Sequence, residues 1–139
     1  MERIPEKKGA MMEINVSQDQ GRVSVTVFKI IGNLTSESEL TAQADKAHDA
    51  GSHHVLLDLS EVPYVSSSGL RALHYMFTLL KTAEDNKTAE KEGIVSGSYV
   101  SSHLKLLKPN KNVLEVLKTA GYDMFLEIHT DYPKAIASF

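Results

Sequence analysis

The feature that constrains the fold most is a short, almost continuously apolar segment at residues 55–59, "VLLDL". A run this short with so few polar positions is typical of a strand that is covered on both faces. The preceding stretch, "SESELTAQADKAHDAG", is helical, because Ser36 and Glu39 have capping-box spacing and Gly51 stands where a helix ends. A helix between two strands predicts a right-handed crossover, with the strands parallel.

The remaining segments complete an alternating order of strands and helices. The stretch "MEINVSQDQGRVSVTVFKIIG" predicts two strands joined by a turn at Gln20–Gly21, and Gly32 closes the second strand. Further along, "HLKLLKP" and "YDMFLEI" predict strands, "NKNVLEVLKTAG" predicts a helix, and "TDYPKAIASF" predicts a closing helix capped by Asp131. We therefore expect an α/β fold: a single small domain with a mostly parallel β-sheet, one antiparallel strand and about four helices.

Two segments do not fit this alternating order of strands and helices. Residues 1–10 carry five charges with a proline and a glycine, and we predict a flexible N-terminal arm. Residues 83–102 begin polar and become rich in serine and glycine, and we interpret them as an insert within a domain that spans 11–139.

The stretch "SSSGLRALHYMFTLLK" gives the clearest helix prediction of the chain. One polar stripe runs along it, formed by Arg71, His74, Thr78 and Lys81. The apolar arc is wider than packing on one sheet requires. Either another part of the chain or a partner must therefore cover its far flank, which consists of Ala72, Tyr75 and Leu79.

Composition narrows the class of protein. Hydrophobic residues make up 42% and charged residues 24% of the 139 residues, as in ordinary soluble domains. The net charge of −3 gives no basis for binding nucleic acid, and we interpret Lys105, Lys108 and Lys111 as a solvated edge. The absence of cysteine excludes disulfides and thiolate chemistry. No apolar run approaches the ~20 residues of a membrane helix, so we expect a cytoplasmic protein with no membrane contact.

The sequence offers little support for catalysis. None of the serines at 66–68 stands in the G-x-S-x-G pattern of a hydrolase elbow. His53 and His54 are adjacent at the start of a strand, so their side chains point to opposite faces and are poorly placed to hold one metal ion. No phosphate-binding glycine loop is present. We therefore predict a non-enzymatic domain without a cofactor or a metal site.

The three serines of "YVSSSGL" allow two interpretations. In the simpler one, a serine caps the helix and the others fill a tight turn. In the functional one, a serine at the helix start is a phosphorylation site. Unpaired N–H groups and the helix dipole favour an anion there, and the phosphate would add about −1.5 to −2 charges to an apolar surface. From Val62 to Leu79 the sequence contains no carboxylate.

The stretch "VLLDLSEVPYVSSSGLRAL" resembles the central signature of the STAS domain family of anti-sigma factor antagonists. In that family an apolar strand leads to D-L/F-S-x-V and, after two apolar residues, to D-S-S/T-G-L. "IIGNLTSESEL" resembles the family's G-x-L-D segment, and residues 103–139 resemble its C-terminal half. The resemblance covers about residues 11–82 and 103–139.

This resemblance implies a domain that binds an anti-sigma factor which is also a serine protein kinase. In the family, kinase phosphorylation of a serine ends that binding and a phosphatase restores it. The resemblance places the phosphorylation site at Ser67. Two departures are visible: Ser66 and Thr35 stand where the family has aspartates.

We therefore predict a partner-binding edge made of two segments and the first turn of the helix that follows. Its residues are Gly32, Asn33, Thr35, Ser36, Tyr64, Ser66, Ser67, Ser68, Gly69 and Arg71. Ser66 or Ser68 is expected to cap the helix. Two alternatives remain: a divergent STAS scaffold that binds a partner without a phospho-switch, and a nucleotide-binding protein or enzyme that uses the helix start as an anion site.

Overall fold

A computed structural model describes residues 12–81 and 100–139 of the chain. Its strands and helices alternate as the sequence predicts, and we number them in chain order. The strands are β1 (Glu13–Gln20), β2 (Ser24–Ile31), β3 (Val55–Glu61), β4 (Leu104–Leu107) and β5 (Glu127–His129). The helices are α1 (Glu37–Asp49), α2 (Ser67–Leu79), α3 (Lys111–Thr119) and α4 (Tyr132–Ala137).

The strands form one five-stranded sheet in the order β1-β2-β3-β4-β5. β1 is antiparallel to β2, and every other neighbouring pair is parallel. The predicted fold class is therefore confirmed. The predicted arm at residues 1–10 and all but the end of the predicted insert at 83–102 lie outside the described residues.

Helices cover both faces of the sheet, as the apolar β3 run predicts. Leu57 and Leu59 of β3 belong to a core formed with α1, α2 and α3. Leu56 points to the other face, where it packs with Ala135 and Ile136 of α4. All three β3 leucines have 0% exposed surface, which explains why this strand lacks the polar alternation of a half-buried one.

Each of the four α-helices among the described residues begins with a polar side chain that accepts a hydrogen bond from a backbone N–H of the first turn. These cap residues are Ser36, Ser66, Asn110 and Asp131. The predicted caps of α1 and α4 are confirmed. Ser66, rather than Ser68, caps α2.

The prediction of one strand over "YDMFLEI" is wrong in its first half. Tyr122–Met124 form a short 3-10 helix, and only Glu127–His129 pair with β4. The Tyr122 hydroxyl donates to the Leu70 carbonyl at 2.8 Å, and the Phe125 ring lies 4.8 Å from the Phe77 ring. These aromatic contacts direct the segment towards α2 before it joins the sheet.

The interpretation of Lys105 as part of a solvated edge is also wrong. Its side chain is only 4% exposed. The ammonium group donates to the carbonyl and hydroxyl oxygens of Ser138 at 2.9 and 3.0 Å, and lies 3.2 Å from a carboxylate oxygen of Glu127. These partners compensate a charge whose burial would otherwise be costly.

Candidate functional site

The loop after β2 and the loop after β3 meet at the carboxyl edge of the sheet. Leu34 and Val65 form a parallel bridge. The Leu34 N–H donates to the Tyr64 carbonyl at 2.8 Å, and the Ser66 N–H donates to the Leu34 carbonyl at 3.0 Å. In open α/β sheets, ligands usually bind outside the carboxyl ends of the strands. We call the surface formed by residues 32–36 and 64–71 the serine edge.

Gly69 allows α2 to lie directly against the β2 loop. A Cβ atom at this position would be 2.4 Å from the Leu34 carbonyl oxygen and 2.9 Å from its Cγ. Such distances are far below ordinary contact, so no larger residue fits without a shift of backbone. Gly32 meets a different demand, because its φ of 103° lies in the left-handed region.

The three serines have different roles in the structure. The Ser66 hydroxyl accepts from the Gly69 N–H at 3.2 Å and caps α2. The Ser68 hydroxyl accepts from Arg71 Nη2 at 3.0 Å. Ser67 is exposed, and its hydroxyl makes no hydrogen bond within residues 12–81 and 100–139. Of the three, Ser67 therefore carries the hydroxyl that is most accessible to another protein.

Arg71 links the serine edge to α1. Its Nε donates to the Glu37 carboxylate at 3.1 Å, while its Nη2 holds Ser68. Glu37 is the first residue of α1, so this ion pair joins the first turns of the two helices. Glu37 was not among the site residues predicted from the sequence. The signal that could have found it is that Arg71 is the only arginine or lysine in α2.

A shallow groove of about 400 Å³ continues from Arg71 along the surface of α2. Its lining residues are Glu37, Arg71, His74, Tyr75, Thr78 and Tyr122. The Tyr75 hydroxyl donates to Asp45 of α1 at 2.5 Å, and this hydrogen bond raises the pKa of Tyr75. Ala72 is fully buried. The far flank of α2 is therefore covered in part by α1, from within the chain.

The predicted partner-binding residues divide into two groups. Ser36, Ser66 and Gly69 support the loops, as the caps of α1 and α2 and the point of close approach. The others present atoms to solvent to different degrees. Asn33 and Thr35 are exposed, and Tyr64 is 53% exposed.

The charge of the serine edge, taken together with the adjacent Glu37, is nearly balanced before any modification. The first turn of α2 contains no acidic residue, and Glu37 and Arg71 compensate each other across the two helix starts. An added phosphate would therefore be the dominant charge on this surface.

The histidines do not form a metal site in the part of the chain that the structure describes, where no group of three potential ligands occurs. Four of them lie in pairs at the opposite edge of the sheet: the His48 and His53 rings are 6.2 Å apart, and the His54 and His103 rings 4.9 Å. His74 lies in the groove on α2, and His129 is the last residue of β5. Among the same residues, no helix is both long and apolar enough to cross a membrane.

The fold is that of SpoIIAA and its structural relatives. The anti-sigma factor antagonist SpoIIAA in its unphosphorylated form superposes with a TM-score of 0.56 at 15% identity, covering 89% of this chain and 94% of the other. The phosphorylated form of SpoIIAA from Bacillus gives 0.57 at 13% identity, covering 88% and 96%. A Thermotoga maritima protein assigned as an anti-sigma factor antagonist gives 0.62 at 16% identity, covering 88% and 91%. At these identities the likeness establishes the fold alone.

The sequence establishes the family. The model of the STAS domain matches residues 16–84, a range that contains both segments of the serine edge. A comparison with curated protein sequences finds no match. The chain belongs to the STAS domain family, which confirms the resemblance identified from "VLLDLSEVPYVSSSGLRAL".

Proposed function

We propose that this domain is an anti-sigma factor antagonist that binds an anti-sigma factor through the serine edge and thereby regulates sigma-factor-dependent transcription. The STAS family match and the SpoIIAA-like fold support the class of function. In this proposal the domain acts in the cytoplasm as a binding protein, without catalysis, cofactor or nucleic-acid contact.

The observation that carries the proposal is the accessibility of the Ser67 hydroxyl between two engaged serines. Ser66 is committed to the helix cap and Ser68 to Arg71. A protein kinase needs a hydroxyl that it can approach without breaking existing bonds, and Ser67 offers one.

Phosphorylation of Ser67 would switch binding off. The anti-sigma factor, acting as a serine kinase, would transfer the γ-phosphoryl group of ATP to the Ser67 oxygen, which loses its proton, and release ADP. The product carries about −1.5 to −2 charges at neutral pH. At the start of α2 the phosphate meets backbone N–H groups that have no helical acceptor, whereas a partner that docks on the neutral edge meets a new desolvation cost. A phosphatase would reverse the modification.

The test combines phosphorylation and binding. Purified wild type is incubated with candidate anti-sigma factor kinases and ATP, and modified residues are mapped by mass spectrometry. We expect one phosphate at Ser67, none in Ser67→Ala, and unchanged incorporation in the matched control Ser68→Ala. In a pull-down, Ser67→Glu should lose the anti-sigma factor and Ser67→Ala should retain it. An unmodified Ser67 together with full binding by Ser67→Glu would contradict the proposed phosphorylation switch.

A second candidate is supported by the two replaced carboxylates. Ser66 and Thr35 stand at the family's aspartate positions, and Ser66 still caps α2 without a charge. The domain would then be a STAS scaffold that binds its partner constitutively. In that case Tyr64→Ala should weaken binding of the partner, while Ser67→Glu should leave it intact.

A further inference from the structure

Arg71 is placed to interact with more than its present partners. It lies four residues after Ser67 and three after Ser68 in α2, and residues with these spacings are neighbours on a helix surface. Its guanidinium already reaches back over the first turn, where Nη2 is 3.0 Å from the Ser68 hydroxyl. The same group contacts Glu37 of α1.

The ion pair between Arg71 and Glu37 is easy to exchange. The two side chains are 61% and 43% exposed, so the guanidinium can turn away without disturbing the core. Exposed pairs of this kind contribute little to stability. A new acceptor on the Arg71 side of α2 needs only to compete with one solvated carboxylate.

We propose that Arg71 senses the modification of Ser67. When Ser67 is phosphorylated, Arg71 moves away from Glu37 and pairs with the phosphoryl group. This inference rests on the proposed function, because it requires phosphate at Ser67. A phosphate monoester offers more negative charge than a carboxylate and three acceptor oxygens, and the planar guanidinium can bind two of them at once. Arg71 would therefore change partners when Ser67 is modified.

The exchange carries the signal from α2 to α1. Before modification, Arg71 neutralises Glu37 at the start of α1. After it, Arg71 offsets part of the phosphate charge, and the Glu37 carboxylate is left without this cation. A partner that contacts both loops of the serine edge would then meet unfavourable charge at two places.

The experiment measures the phosphate directly and does not depend on a kinase. Phosphoserine is incorporated at position 67 during translation, and the second pKa of the phosphate, ordinarily about 6, is followed by phosphorus NMR. A nearby cation favours the dianion, so the pKa should lie below its ordinary value in wild type. It should rise by about half a pH unit in Arg71→Gln, as expected for unit charges a few Å apart in water.

Three further variants sharpen the test. Arg71→Lys keeps the charge but lacks the planar guanidinium, so its phosphate pKa should lie between those of wild type and Arg71→Gln. Glu37→Gln removes the competing carboxylate and should lower the phosphate pKa further. Lys46→Gln, in the last turn of α1, removes the same charge more than a Debye length away and should leave the pKa unchanged.

The outcomes separate this inference from the proposed function. Equal phosphate pKa values in wild type and Arg71→Gln would overturn the Arg71 role, even if a kinase modifies Ser67 and phosphorylation releases the partner. Conversely, a phosphate pKa that depends on Arg71 would support the pairing even if no kinase or anti-sigma factor is found. A shift of equal size in Lys46→Gln would show a general charge effect and would also overturn the inference.

Discussion

Replacing Gly69 with alanine tests the packing on which the serine edge depends. The added Cβ would lie 2.4 Å from the Leu34 carbonyl oxygen and 3.1 Å from Val65 Cγ1. Ordinary contact begins at 3.4 Å, so the Leu34 backbone and the first turn of α2 must separate by about 1 Å, on the order of the overlap itself. That carbonyl also accepts from the Ser66 N–H at 3.0 Å, and this hydrogen bond would weaken.

The expected loss is about 2 kcal/mol in the free energy of unfolding. Overpacking costs about 1–3 kcal/mol, and loss of the hydrogen bond costs on the order of 1 kcal/mol more. Alanine recovers at most about 1 kcal/mol through its better helix propensity. For a domain of this size, that net loss lowers Tm by roughly 6–8 °C. Urea and thermal unfolding, followed by circular dichroism, measure both quantities.

Gly51→Ala is the matched control. Nothing lies within 4 Å of a Cβ at Gly51, but its φ of +98° makes an alanine strained there. We expect this variant to be destabilised by about 1–2 kcal/mol through its backbone, far from the serine edge. Partner binding should therefore fall in Gly69→Ala and persist in Gly51→Ala. A Gly69→Ala protein as stable as wild type would refute the steric reasoning, because helix propensity would then outweigh the overlap.

Three further predictions concern caps and charges. Ser66→Ala removes the cap of α2 and should lower the free energy of unfolding by about 1 kcal/mol in urea melts, whereas Ser67→Ala should change it by less than about 0.5 kcal/mol. Burial alone would raise the pKa of Glu127, but hydrogen bonds from His129 and Lys105 lower it. The Glu127 carboxylate therefore stabilises the fold above its pKa in the unfolded chain, and this contribution is lost as the pH falls through its pKa in the folded protein. Glu127→Gln should lower the free energy of unfolding by roughly 0.5–1 kcal/mol at neutral pH, and this difference from wild type should shrink in acid. Burial and the hydrogen bond to Asp19 raise the pKa of Tyr132 to about 12. Wild type should therefore lose stability between pH 10 and about 12, and Tyr132→Phe should lose less over that range.

The elements around β3 could be predicted from sequence because local and long-range signals agree there. The run "VLLDL" has the length and apolar character of a strand covered on both faces, and Ser36 and Gly51 mark the helix before it. The serines that follow leave one ambiguity: sequence allows Ser66 or Ser68 to cap α2. Only the structure resolves this, because Arg71 engages the Ser68 hydroxyl.

The predictions that failed depend on contacts between segments far apart in the chain. The aromatic residues of "YDMFLEI" favour a strand by propensity, yet Tyr122 bonds to Leu70 and Phe125 packs on Phe77 in α2. Lys105 is flanked by leucines and has the pattern of a half-exposed strand. Its burial depends on Ser138 and Glu127, whose positions no local pattern gives. The role of Glu37 was missed for the same reason, because its partner lies 34 residues away.

The presence of Ser66 and Thr35 at the family's two aspartate positions changes the charge of the serine edge more than its architecture. A cap requires an oxygen acceptor rather than a charge, and Ser66 supplies one to the Gly69 N–H. The exposed Thr35 leaves the β2 loop neutral at the other position. The carboxylate nearest in sequence to that loop is Glu37, two residues further on, and Arg71 compensates it. Because the unmodified edge is close to electrically neutral, a phosphate at Ser67 would make a larger relative change here than on an edge that already carried two aspartates.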